Sequence, residues 1–208
     1  MARALLALGF VAALAACGSR PSSPPSVTSV PTGAVFTSCQ TGLISSGALF
    51  EALVPMRTGE GCGFEDGIKI SATPSSLNQP VVLSCPTALA LTRFDLDVVQ
   101  PAAQRHFGKR VTKIHHVGGY ACRAINGSRK WSQHAFANAV DVMGFDVADG
   151  TRILVSRDWR ANGPRANFLH EIARGACSVF KVVLTPAYDR AHHDHFHLDV
   201  GPERLCGI

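Results

Sequence analysis

His192-His193-Asp194-His195-Phe196-His197-Leu198-Asp199-Val200, near the C-terminus, sets four histidines within six residues. Read as a strand from His195 to Val200, the segment alternates. His195, His197 and Asp199 share one face, while Phe196, Leu198 and Val200 face a core. Imidazole is the commonest nitrogen ligand of metals, and zinc takes it together with carboxylate or thiolate. For this stretch alone the alternative is a pH-sensitive or merely solvated histidine cluster, and a second segment weighs against it.

That segment is Ser132-Gln133-His134-Ala135-Phe136-Ala137-Asn138-Ala139-Val140-Asp141. A histidine and an aspartate seven residues apart reach one ion if a loop carries the first and a strand the second. With His197 they make a His2Asp set. A fourth position then stays open for water, as in catalytic rather than structural zinc sites, and zinc lowers the pKa of such water towards about 7.

The other elements follow from pattern. Ile68–Ile70, Val81–Leu83, Val111–Val117, Ala139–Phe145, Thr151–Val155 and Val179–Leu184 read as strands, with Asp149-Gly150 a hairpin turn. Pro86 opens a helix running to about Val99. Pro101 interrupts it, and a second short helix runs to Phe107. Pro164–Ala176 is a helix with Phe168, Leu169 and Ile172 on its apolar side. Residues 40–85 are otherwise loops and short strands. Strands interleaved with helices, one hairpin among them, predict an α+β domain with a mainly antiparallel sheet and flanking helices.

The 208 residues are 46% hydrophobic and 17% charged, enough for one domain with a substantial core. The formal charge of +5 is spread along the chain without a Lys/Arg run or basic-aromatic interleaving, so nucleic-acid binding is not expected. Residues 1–16 read as a signal peptide: Met1-Ala2-Arg3, then an apolar run too short to span a bilayer. Leu14-Ala15-Ala16-Cys17 looks like a bacterial lipobox, so Cys17 is expected to carry lipid and anchor the protein to a membrane. A secretory signal with a nearby cysteine is the plainer alternative. Residues 17–38, rich in Pro and Ser, form a disordered tether, and residues 39–208 form the domain. Cys39, Cys62, Cys85, Cys122, Cys177 and Cys206 then suit up to three disulfides in an oxidising compartment, with the pairing open.

Taken together, the His134–Asp141 segment and the terminal His-x-His resemble the motif pair of the lysostaphin, D-Ala-D-Ala peptidase and hedgehog group of zinc proteins. Cys85-Pro86, Gln100-Pro101-Ala102-Ala103, Tyr120-Ala121-Cys122-Arg123 and Asp158-Trp159 extend the likeness. From about Cys39 to Cys206 the chain resembles the bacterial extensin-like C-terminal domain family within that group. Locally, His192-x-x-His195-x-His197 is most similar to the penicillin-insensitive murein endopeptidase type. The resemblance implies a hedgehog/D-Ala-D-Ala peptidase-like zinc domain that hydrolyses peptidoglycan peptide cross-links with a zinc-activated water. His134, Asp141 and His197 would be the zinc ligands. His195 would be the general base or transition-state stabiliser, supported by His192, and Arg123 would orient substrate or the oxyanion. Asp194 is a competing base, and Asp199 is read as orienting a ligand rather than binding the ion. Ala137 departs from the group, whose members usually have glycine there. The expected partners are peptidoglycan peptides and, through Cys17, a membrane; the expected place is the bacterial periplasm, outer membrane before inner, as a monomer. The alternative function is a non-catalytic, zinc-stabilised wall-binding or scaffold lipoprotein. Of the remaining histidines, one of His115 and His116 is expected to be solvated, and His106 and His170 to be surface or satisfied core residues. Trp159 is expected in the core.

Overall fold

The computed structural model describes Met1 and residues 37–208. The expected signal peptide beyond Met1, the expected lipidation site Cys17 and all of the expected 17–38 tether except Thr37 and Ser38 lie outside the described residues.

Thr37 caps the first helix, α1 (Ser38–Ser45): its hydroxyl accepts from Gln40 N–H at 3.2 Å, and Gln40 Oε1 of the side chain accepts from Thr37 N–H at 2.9 Å. Short strands follow: β1 (Leu49–Ala52), β2 (Met56–Arg57), β3 (Gly63–Phe64), β4 (Gly67–Ala72) and β5 (Ser76–Ser84). The helical run from Cys85 to Phe107 is continuous, as α2 (Cys85–Arg93), a π-helical stretch (Phe94–Val99) and α3 (Gln100–Phe107). Pro101 therefore does not interrupt the run. Gln100 N–H already bonds five residues back to Asp95, so the ladder has shifted where the proline lacks a donor.

β6 (Val111–Gly118) leads to a 3₁₀ turn (Gln133–Phe136) and then β7 (Ala139–Val147). β8 (Arg152–Leu154), α4 (Val155–Asp158) and α5 (Pro164–Ala176) come next, then β9 (Val182–Leu184), a 3₁₀ turn (Arg190–His192), β10 (Phe196–Asp199) and β11 (Leu205–Gly207).

Among the described residues nine strands form one sheet in the order β1-β4-β5-β6-β7-β10-β9-β11, with β8 beside β7. The mainly antiparallel expectation needs correcting to a mixed sheet, because β5 pairs with β6 and β9 with β11 in parallel. The first parallel pair is joined by the Cys85–Phe107 helical crossover, as parallel neighbours require. The second arises because the chain reverses after β10 and returns along the outer edge of β9.

β7 is central. β6 covers one of its edges; on the other, β10 pairs with its first half and β8 with its second. Beneath it Phe94, Phe145, Phe168 and Phe196 are fully buried, each worth about 1.5–3 kcal/mol over exposure. The Phe168 ring meets those of Phe107 and Phe145 edge-on, with centroids 5.4 Å from each. Asp95, also fully buried, accepts from Thr73 Oγ1, Ser75 N–H, Ser75 Oγ and Gln100 Nε2 at 2.6–3.1 Å, tying the π-helical stretch to the β4–β5 turn.

Three disulfides close the fold: Cys39–Cys85, Cys62–Cys122 and Cys177–Cys206. They use every cysteine among the described residues.

Candidate metal centre

Asp141 and His197 are direct register partners on the antiparallel pair β7–β10, so their side chains emerge side by side on one face. Phe196 and Leu198, on the opposite face, are fully buried. This alternation anchors β10 and aims His197 away from the core.

His134 arrives from the 3₁₀ turn. Ser132 caps that turn, its hydroxyl facing His134 N–H at 3.4 Å, and Ala137 ends it in the left-handed region at φ 57°. Ala137 is the only non-glycine residue with positive φ among the described residues. Its N–H bonds back to the His134 carbonyl at 3.1 Å, and its own carbonyl accepts from Ser84 N–H at 2.8 Å. The reversal feeds the chain into β7, where Asp141, seven residues after His134, faces the same point.

The three donors converge. His134 Nε2 lies 3.2 Å from Asp141 Oδ1 and 3.2 Å from His197 Nδ1, and the latter is 3.0 Å from Asp141 Oδ1. Two donors about 2.0–2.1 Å from a tetrahedral zinc stand roughly 3.3 Å apart, so the set fits that ion. The outward nitrogens are occupied: His134 Nδ1 donates to the Gly119 carbonyl at 2.7 Å, and His197 Nε2 faces Asp199 Oδ2 at 3.1 Å. Each ring thus keeps its other nitrogen for the centre.

The electrostatics match. Burial opposes ionisation of Asp141, but hydrogen bonds from His134 and His197 outweigh it and hold the carboxyl well below the usual range. Burial likewise opposes charge on His197, yet Asp141 and Asp199 lift it to about 9.

His195 stands at the rim. Its Nε2 is 3.8 Å from Asp141 Oδ1, and its Nδ1 meets Asp194 Oδ1 at 2.8 Å. Asp194 is thus placed behind His195. His192 packs beside both, its ring 5.3 Å from that of His195 and 5.8 Å from that of His197. Burial lowers the His192 pKa against the opposing pull of Asp189, which meets its Nδ1 at 2.7 Å.

The residues matched by the protein-family model described as "Extensin-like protein C-terminus" are 37–207. The chain belongs to this extensin-like family. No curated protein and no solved structure matches it. The match takes in every described element from α1 to β11, and with them the whole of this centre.

In this extensin-like domain His134, Asp141 and His197 converge with His195 and His192 at their rim, and the Arg123 side chain bonds to none of them. Arg123 is exposed beside the Cys62–Cys122 disulfide, and its guanidinium pairs with no other described residue. Its carbonyl accepts from Ser132 N–H at 3.1 Å, so its backbone is tied to the turn that carries His134. A cavity of about 340 Å³ opens beside that turn, lined by Phe136 and Asn138 and by Arg57, Glu65, Asp66 and Ser84 across from them.

Neither His115 nor His116 is solvated, contrary to expectation. His115 lies 2.9 Å from Asp146, and His116 is buried with Nε2 donating to the Gln79 carbonyl at 2.9 Å. His106 pairs with Glu171, His170 donates to the Trp159 carbonyl, and Trp159 is in the core. Two contributors escaped the sequence reading. Asp189 was legible as a cap three residues before His192. The Gly119 carbonyl carried no such signal: a Cβ there would sit 2.4 Å from the Val82 carbonyl oxygen, so glycine permits the approach that aims it.

Proposed function

We propose that this protein is a zinc-dependent hydrolase of peptidoglycan peptide cross-links, tethered in the bacterial periplasm through Cys17. The observation that carries the reading is the convergence of His134 Nε2, Asp141 Oδ1 and His197 Nδ1 within 3.0–3.2 Å, with the His195 imidazole at their edge. Three protein ligands leave a coordination position for water or substrate. Zinc held there supplies a Lewis acid that polarises a carbonyl and acidifies water. The remaining chemistry belongs to the chain. With Nδ1–H directed to Asp194, His195 offers the Nε2 lone pair to take a proton from water and return it to the leaving amine. This assigns the base to His195 rather than Asp194. His192, held by Asp189, packs against His195 and limits its ring motion. Arg123 is assigned to the substrate's carboxylate or developing oxyanion, since its backbone rides on the turn of His134. The choice of peptidoglycan rests on the likeness of His192-x-x-His195-x-His197 to murein endopeptidases.

The test is digestion of purified cross-linked muropeptides by the zinc-loaded chain, with products read by mass spectrometry. Wild type releases monomers; His195→Ala keeps its zinc and loses at least about 100-fold in rate, the scale of general acid-base catalysis. Full zinc occupancy with no cleavage of any muropeptide would favour the second reading, a zinc-stabilised wall-binding domain. The Arg123 side chain being exposed, with no bond to the three converging donors, is the observation on that side.

A further inference from the structure

Besides Asp141, the buried carboxylates are Asp95, Asp158 and Asp199. Asp95 spends its oxygens on the β4–β5 turn and Gln100, and Asp158 on Arg157 and Leu154 N–H. Asp199 differs. Oδ1 accepts from Gly201 N–H at 2.8 Å, and Oδ2 is given to His197 at 3.1 Å. It is 4% exposed, and its backbone is held on both sides: it pairs with Ala139 on β7 and Val182 on β9, and its carbonyl accepts from Lys181 N–H at 2.9 Å. The sheet fixes the Asp199 backbone, and the Gly201 N–H bond to Oδ1 orients the carboxylate so that Oδ2 faces His197.

We infer that Asp199 is the positioning residue of the centre, fixing His197 with its proton on Nε2 so that Nδ1 is the ligand atom. The inference rests on the zinc reading above. A ring turned by half a turn about its Cβ–Cγ bond would bring carbon where Nδ1 now stands, and the bond to Asp199 is what opposes that turn. A carboxylate behind the ring also makes the opposite nitrogen the stronger donor. His134 has the same device in neutral form, the Gly119 carbonyl. The charged version stands only behind His197, at the edge where His195 and His192 leave the centre open.

The experiment is zinc titration of the full chain against a competing chelator, for wild type, His134→Ala and Asp199→Asn, with ¹⁵N NMR of histidine-labelled, zinc-loaded protein. Asparagine keeps the shape but has one acceptor oxygen, so it cannot serve both Gly201 and His197. The expected result is zinc affinity about 10–100-fold lower in Asp199→Asn, the usual effect of removing a ligand's outer partner. Wild-type spectra should show His197 metal-bound at Nδ1 and protonated at Nε2. Unchanged affinity in a folded Asp199→Asn would overturn the assignment. If that variant fails to fold, the wild-type spectrum decides, since ligation through Nε2 overturns it equally. Wild type that takes up no more zinc than His134→Ala would remove the underlying reading, and this one with it.

Discussion

Asp141 sits between two imidazoles, and the metal-free domain must carry that cluster with protons alone. Its carboxyl is depressed, so its stabilisation exists above the unfolded value near 3.9 and is lost as pH falls. His197 is raised, so its stabilisation is complete below the unfolded value near 6.5 and is lost as pH rises to about 9. Metal-free protein should therefore lose about 3 kcal/mol between pH 6.5 and 9, read by urea unfolding. His197→Gln should flatten that slope. Zinc bound as proposed would displace the same proton, so its affinity should rise roughly tenfold per pH unit over that window. Ala137 is the other residue with a definite expectation. A left-handed alanine costs about 1–2 kcal/mol, part of it regained in the unfolded chain. Ala137→Gly should gain about 1 kcal/mol in urea unfolding, and Ala137→Val should lose more than that. These two positions also show what was legible. His134, Asp141 and His197 could be named from spacing and alternation, and Ala137 from its departure from glycine. The Gly119 carbonyl could not, because a backbone acceptor brought from the end of another strand leaves no side-chain trace.

At the scale of elements, length decided what could be read. α5 has the bounds that its proline and apolar stripe predict; β10 is shorter than the expected His195–Val200, with Phe196 and Leu198 in the core as expected but Asp199 buried as well. α1 was passed over although Thr37 and Gln40 spell a capping box, because its eight residues bury only Leu43. β2 and β3 have two residues each, too few for any period to register. The Cys177–Cys206 bond ties the end of α5 to β11, whose parallel partner β9 supports β10. Closing a separation of 29 residues is worth about 3–4 kcal/mol by loop entropy. The double variant Cys177→Ser/Cys206→Ser should lose that much in urea unfolding, and hydrogen exchange should quicken first in β11 and β9. Unaltered exchange there would show that the edge strand stands without its bond. Pairing of the cysteines was beyond the sequence, since six well-separated thiols admit fifteen arrangements.

For the molecule as a whole, the mixed sheet explains why the site lies where it does. β7 has different neighbours along its two halves: β10 beside residues 139–142 and β8 beside residues 144–146. The helices take up the other half of the amphipathic pattern, leaving the His197–Asp141 face to the loops. An α+β class was legible from the alternation of strands and helices. The parallel β5–β6 pair was not, because a helical crossover returning its strand to the neighbouring position depends on packing between distant segments. If this face holds one zinc ion, as proposed, metal stoichiometry will show it. The purified chain, dialysed against zinc and then washed, should retain one zinc per molecule by elemental mass spectrometry. His134→Ala and His197→Ala should retain far less at the same fold content. Equal, near-zero zinc in wild type and both variants would contradict the claim.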